Sequence, residues 1–149
     1  MMINLRKYAV VFVLTVLGLT LAGFGLGFLG VRIPVSLNTW LPPAVAALIV
    51  GQDLARATGT APQTSDYWRL GLLATVVAVA LHVILATVVF VGLSAMAGVN
   101  IMGQMAAIGP MGIAVIALTM IFAINLSNVA FLWIGVRNVL RAQSKRTGS

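Results

Sequence analysis

Long apolar runs separated by short polar segments dominate the chain. Residues 8–31, 33–52 and 70–136 contain no Asp, Glu, Lys or Arg. A helix needs about 20 apolar residues to cross the hydrocarbon core of a bilayer, so each run is long enough to span a membrane. The third run would form one helix of about 100 Å, which means that it must turn back at least once.

Turn-forming residues in the third run concentrate between residues 98 and 112. Gly98, Gly109 and Gly112 tolerate backbone conformations that end a helix, and Pro110 interrupts helical hydrogen bonding. The third run is therefore expected to form two helices joined by a turn in this segment.

The pattern predicts an all-α fold, a bundle of four transmembrane helices that forms one domain over residues 1–149. Residues 138–149 are expected to be a short, basic and frayed cytoplasmic tail. The helices are predicted near residues 8–30, 37–56, 66–97 and 112–137.

The second helix has the shortest apolar stretch, and it contains Pro42 and Pro43. Thr39 is a suitable N-cap for a helix whose first turn accommodates the prolines, because the first N–H groups have no intrahelical partner there. An alternative is a re-entrant hairpin over residues 36–54. The chain would then have three spans, and its C-terminal basic residues would face outward.

Composition agrees with a membrane protein, since 61% of residues are hydrophobic and 7% are charged. So few charged side chains cannot cover a soluble globule of this length. The net charge is +7, but the basic residues lie beside the apolar runs rather than in one stripe, which argues against a nucleic-acid partner. The chain has no cysteine, so disulfides and cysteine metal sites are excluded.

Charge placement predicts the orientation. With four spans and a cytoplasmic N-terminus, all of the nine basic residues except Arg32 lie in the cytoplasm, as the positive-inside rule requires. Both termini are then cytoplasmic. Tyr8, Tyr67, Trp68 and Trp133 fall at the predicted inner boundary, where aromatic side chains are enriched.

The first span also fits a secretory signal. Arg6 and Lys7 precede an apolar stretch, and Thr20-Leu21-Ala22 is a possible cleavage site with small residues. The apolar run continues to Leu29, which is longer than a signal needs, so we favour an uncleaved helix.

Three polar residues lie deep within predicted spans. His82 and Asn125 fall at similar depths on antiparallel helices, and Asn128 is about one turn from Asn125 on nearly the same face. One interpretation is a proton, ion or solute site. The other, which we favour because no intramembrane carboxylate accompanies His82, is hydrogen bonding between helices. Thr75, Ala78 and Ala86 share the His82 face and predict a packing seam.

Two further groups of residues are candidates for contacts. Gly23 and Gly27 form a GxxxG pair, which predicts close helix packing within the bundle or with another chain. The predicted cytoplasmic hairpin holds a second polar group, in which Asp53 and Arg56 have the spacing of a helical ion pair. Its members are Gln52, Asp53, Arg56, Trp68 and Arg69.

No arrangement typical of a catalytic, cofactor or metal site is present in the sequence, and no cofactor is expected. Asp53 and Asp66 are the only acidic residues. A two-carboxylate site at the membrane interface is conceivable, but charges at helix ends explain both residues more simply.

One segment resembles a known family. Its features are a GQxFA-like end of the second span (Gly51-Gln52-Asp53-Leu54-Ala55), a GxxP loop (Gly59, Pro62) and a third span that begins with Trp68-Arg69. These features resemble a family of small, uncharacterised bacterial inner-membrane proteins with four spans. Val50, Leu54 and Thr60 differ from the family pattern. The resemblance implies the same topology, and the family supplies no established activity to carry over.

We therefore expect a non-enzymatic accessory or scaffold protein of the bacterial inner membrane. Its expected partners are the lipid bilayer and either a second copy of itself or a larger membrane complex. The alternative is a small channel or transporter whose polar site contains His82, Asn125 and Asn128.

Overall fold

The computed structural model describes residues 2–32, 34–97 and 101–147, and this part of the chain is helical apart from short connections. The all-α prediction is confirmed. The helices are α1 (Leu5–Phe28), α2 (Val35–Thr58), α3 (Thr64–Ala97) and α4 (Ile101–Thr147).

Local hydrogen bonds explain where the first two helices begin and end. The side chain of Asn4 caps α1 by accepting a hydrogen bond from the Lys7 N–H at 2.9 Å. At the end of α2, Gly59 adopts φ of 65°, and its N–H donates to the Ala55 carbonyl at 2.9 Å. Glycine permits this left-handed conformation at little cost, which ends the helix there.

The start of α2 differs from the prediction that Thr39 caps it and that the prolines occupy its first turn. The helix begins at Val35, and the Leu37 N–H donates to the Pro34 carbonyl at 3.0 Å. Pro42 and Pro43 therefore lie inside the helix, where they remove two backbone donors. Both prolines are fully buried, so tight packing offsets the lost helical hydrogen bonds.

α4 is longer than predicted and is broken at one point. Of the predicted turn over residues 98–112, residues 98–100 lie outside the described residues and 101–108 are helical. The helix breaks at Gly109, whose φ of 73° and ψ of 162° are accessible essentially only to glycine, and Pro110 follows. The basic tail predicted to fray is helical as far as Thr147, because the helix simply continues beyond the apolar run.

Contacts between helix ends establish an antiparallel bundle. Lys7 near the start of α1 contacts Asp53 near the end of α2. Arg56 and Arg146 line one cavity, which brings the C-terminal part of α4 to the same end of the molecule. We call this the basic end. Both the start of α1 and the end of α4 lie there.

The core is confined to the half of the bundle nearer the basic end. Tyr8, Phe12, Val50 and Leu132 are fully buried or nearly so. In the other half, every residue from 113 to 123 of α4 is exposed, on all sides of the helix. The chain is thus well packed at one end and open at the other.

Three of the described helices are long and apolar enough to cross a membrane: α1, the 64–96 part of α3 and the 106–146 part of α4. α2 does not meet this criterion. It contacts all three other helices, most extensively α4, and much of its surface is covered by protein. A helix shielded in this way needs fewer large apolar side chains than one that faces lipid.

Candidate functional site: a polar cluster that joins the helices

Asn128 is the centre of a buried polar cluster. Its side chain is fully buried, and the Tyr8 hydroxyl donates to its Oδ1 at 2.8 Å. Its Nδ2 donates to the Thr75 hydroxyl at 3.0 Å, and Thr75 in turn donates to the Gly71 carbonyl at 2.8 Å. These bonds connect α1, α3 and α4 around one side chain, and we call Tyr8, Thr75 and Asn128 the Asn128 cluster.

The Asn128 cluster also extends to α2. The oxygen and nitrogen of an amide are assigned from their hydrogen-bond partners. With the amide of Asn128 flipped, its nitrogen donates to the Pro43 carbonyl at 3.2 Å and to Tyr8 at 2.8 Å, while its oxygen accepts from Thr75 at 3.0 Å. Tyr8 and Thr75 are partners in both orientations, and the flipped one places a partner on every helix.

An aromatic contact links this cluster to His82. Tyr8 stacks on Phe12 with ring centroids 6.5 Å apart, and Phe12 meets the His82 ring edge-on at 5.0 Å. The Nδ1 atom of His82 lies 2.9 Å from the Ala78 carbonyl of the same helix. His82 therefore packs against α1 through its ring rather than through a hydrogen bond to another helix.

Three buried polar atoms have no hydrogen-bond partner among the described residues: His82 Nε2, Asn125 Oδ1 and Ser127 Oγ. The sequence places His82 and Asn125 at similar depths, but these two atoms do not bond to each other. Of the three predicted site residues, only Asn128 is fully satisfied by its neighbours. His82 Nε2 and Asn125 Oδ1 are enclosed without such a partner among the described residues.

The predicted seam on α3 agrees with the burial. Ala78 is fully buried and Thr75 is 2% exposed, while His82 and Ala86 are partly buried. Tyr8, which the sequence places near the inner boundary, is completely buried against protein. A tyrosine hydroxyl can meet a buried acceptor when its ring is enclosed, as Asn128 shows here.

The hairpin residues form an ion cluster at the basic end. Asp53 accepts from Arg56 at 3.3 Å, as its spacing predicts, and also from Lys7 on α1. Gln52 is partly buried, whereas Trp68 and Arg69 are exposed. The Asp66 carboxylate binds the Gln63 N–H at the start of α3, 3.3 Å away. Each acid thus has a structural partner.

Two glycines outside the predicted GxxxG pair allow close helix contact. A Cβ atom at Gly51 would lie 2.6 Å from the Leu132 carbonyl oxygen, and one at Gly135 would overlap the Leu48 carbonyl. These two glycines let the backbones of α2 and α4 touch. A Cβ at Gly27 would meet nothing within 4 Å, and Gly23 lines an open cavity. Gly27 thus makes no close helix contact with the described residues.

The described residues contain no group of three or more His, Cys, Asp or Glu side chains that could hold a metal ion. Comparison of the chain with protein-family models, with curated proteins and with solved structures finds no match. The resemblance to small four-span bacterial proteins stays a prediction, and function has to be inferred from the geometry of these residues.

Proposed function

We propose that this protein is a non-enzymatic accessory or scaffold protein of the bacterial inner membrane, with four spans and both termini in the cytoplasm. α2 has 24 residues and would be about 36 Å long, which is enough to cross the hydrocarbon core. Its protein-covered surface accounts for its lower hydropathy. The position of both chain ends at the basic end agrees with two cytoplasmic termini.

The proposal rests on the burial of Asn128 and on its hydrogen bonds to other helices. A pathway residue must present its polar atoms to a solute, whereas Asn128 is enclosed and bonded to Tyr8 and Thr75. Hydrogen bonds between membrane helices contribute about 0.6 kcal/mol each on average. A fully buried polar side chain thus holds the helices together, as expected for a scaffold.

The open half of the bundle supplies a surface for a partner. Residues 113–123 of α4 are apolar except for Thr119, and all are exposed. Several large apolar residues of α3, among them Val88 and Val91, are exposed as well. We propose that another membrane helix, from a second copy or from a larger complex, packs on this open half.

Crosslinking in native membranes tests this proposal. A photoreactive side chain at Leu118, which is 67% exposed in the open half, should capture a protein partner in stoichiometric amount. The matched control is Val76, which is 64% exposed but lies in the packed half, and it should yield less product. A protein that stays monomeric, with no protein product at Leu118, would contradict the proposal.

Topology has its own test. A reporter active only in the periplasm should stay silent when fused after Ser149 and become active when inserted after Arg32. Activity at the C-terminus would show that α2 does not cross the membrane, and would leave three spans.

A small channel or transporter is the second candidate, because His82 Nε2 and Asn125 Oδ1 are buried without partners among the described residues. Such atoms are costly in a membrane unless a polar group meets them. His82→Leu and Asn125→Leu should then abolish ion or solute flux through reconstituted protein. Thr87→Val is the control, since the Thr87 hydroxyl is exposed and bonds only its own helix. Unchanged flux in both leucine variants removes this candidate.

A further inference from the structure

A groove lies between the start of α3 and the last third of α4, at the basic end. Its wider part has a cavity volume of about 540 Å³ and is lined by Tyr67, Trp133, Arg137, Leu140 and Arg141, among others. A second cavity of about 340 Å³ adjoins it, sharing Tyr67 and Trp133. We call the two together the α3/α4 groove.

The wider part of the α3/α4 groove is cationic. Arg137 and Arg141 are four residues apart and so lie on one face of α4. The Arg137 guanidinium sits 4.7 Å from the centre of the Trp133 ring, which holds it against the groove wall. No acidic side chain lines the groove within the part of the chain that the structure describes. Two guanidinium groups without a carboxylate favour a phosphate.

The adjoining cavity is mostly apolar. It is lined by Trp68, Val129, Ala130 and Trp133, so the groove continues along α4 away from the charged tail and toward the apolar run. Trp68 and Trp133 are half exposed, as is typical of aromatic residues at the level of lipid headgroups. A ligand that fills both parts must carry a negative charge at one end and a hydrocarbon chain at the other.

We propose that the α3/α4 groove is a binding site for an anionic phospholipid. The phosphate binds Arg137 and Arg141, and one acyl chain lies along Val129 and Ala130 below the Trp133 ring. This inference rests on the proposed membrane insertion, in which the basic end lies at the level of lipid headgroups. It goes beyond general attraction of a basic tail to the membrane, because it requires a cationic site and an apolar site at a fixed distance from each other on the protein.

The test uses the purified full-length protein in nanodiscs of phosphatidylcholine, with phosphatidylglycerol of the same acyl chains added and retained lipid counted by native mass spectrometry. The protein should retain phosphatidylglycerol in preference to phosphatidylcholine. The variant Arg137→Gln/Arg141→Gln should lose this preference by about thirtyfold, since each cationic side chain near anionic headgroups contributes a factor of about five. Circular dichroism should show unchanged helix content, because both side chains are exposed.

The matched control is Lys145→Gln/Arg146→Gln, which removes the same charge from the same helix but outside the α3/α4 groove. It should lose the preference by no more than about fivefold, because Lys145 and Arg146 do not line the groove and the attraction of a cation to the headgroups falls off with distance. Equal losses in the two variants would overturn the proposal in favour of general surface charge. Binding of glycerol phosphate as tight as that of the lipid would overturn it in favour of a soluble phosphate.

This measurement is independent of the proposed scaffold function, because no protein partner takes part in it. Lipid preference can fail while crosslinking at Leu118 succeeds, and the reverse holds too. A periplasmic C-terminus in the reporter assay would remove the proposed orientation without changing the lipid result.

Discussion

A hydrogen bond of 2.8 Å joins the Tyr8 hydroxyl to the Asn128 amide in either orientation of the amide, although 120 residues separate the two in the chain. Tyr8 lies in the first turn of α1, and Asn128 lies within the packed half of α4. With Thr75, they hold three helices at one point and, with the amide flipped, a fourth.

Loss of Asn128 should destabilise the bundle. Asn128→Leu removes the side chain to which Tyr8 and Thr75 are both hydrogen-bonded, so two buried hydroxyl groups are less well satisfied. We expect the free energy of unfolding to fall by about 1–3 kcal/mol. Reversible unfolding in mixed detergent micelles measures this. Thr119→Val is the control, because the Thr119 hydroxyl bonds only Val115 of its own helix. Equal effects of the two substitutions would contradict the role of the Asn128 cluster.

The contact between α2 and α4 should be sensitive to a single methyl group. Gly51→Ala and Gly135→Ala each place a Cβ against a backbone carbonyl of the other helix. Overpacking of this kind costs about 1–3 kcal/mol, which should appear as a lower thermal midpoint in detergent. Gly27→Ala has open space around it and should not destabilise the isolated protein. If Gly27→Ala lowered the thermal midpoint and Gly51→Ala did not, our assignment of the close contact to α2 and α4 would be wrong.

His82 should tolerate an aromatic replacement. His82→Phe keeps an edge-on ring against Phe12 and removes the unpartnered Nε2 atom. Since an unsatisfied buried polar group opposes folding, we expect a free energy of unfolding equal to or above that of the parent, within about 1 kcal/mol. The same detergent assay applies. A loss well beyond this would mean that Nε2 makes a contact important for stability.

The ion cluster around Asp53 should contribute little and should respond to salt. Its partners Lys7 and Arg56 are largely exposed, and exposed pairs contribute about 0.2–1 kcal/mol. A double-mutant cycle of Asp53→Asn and Lys7→Gln should give a coupling in that range at low salt, decreasing at high salt because ions screen the charges. A large coupling that salt does not change would indicate a buried pair instead.

Sequence reasoning came closest for features that depend on neighbouring residues. α3 was predicted over residues 66–97 and is observed as Thr64–Ala97. The pairing of Asp53 with Arg56 followed from helical spacing alone. Errors arose where a helix end depends on packing. The buried Pro42 and Pro43 lie inside α2, and α4 continues past the apolar run to Thr147.

The sequence by itself determined that the chain forms apolar helices long enough for a membrane, and which residues are polar within them. Hydrophobicity, charge and turn propensity act over a few residues, so they can be read along the chain. Only the tertiary structure decided that Asn128 meets Tyr8 while His82 and Asn125 do not bond to each other, and that Gly51 rather than Gly27 lies in a close contact. These outcomes depend on the rotation and crossing of each helix, which all of the packed side chains set together.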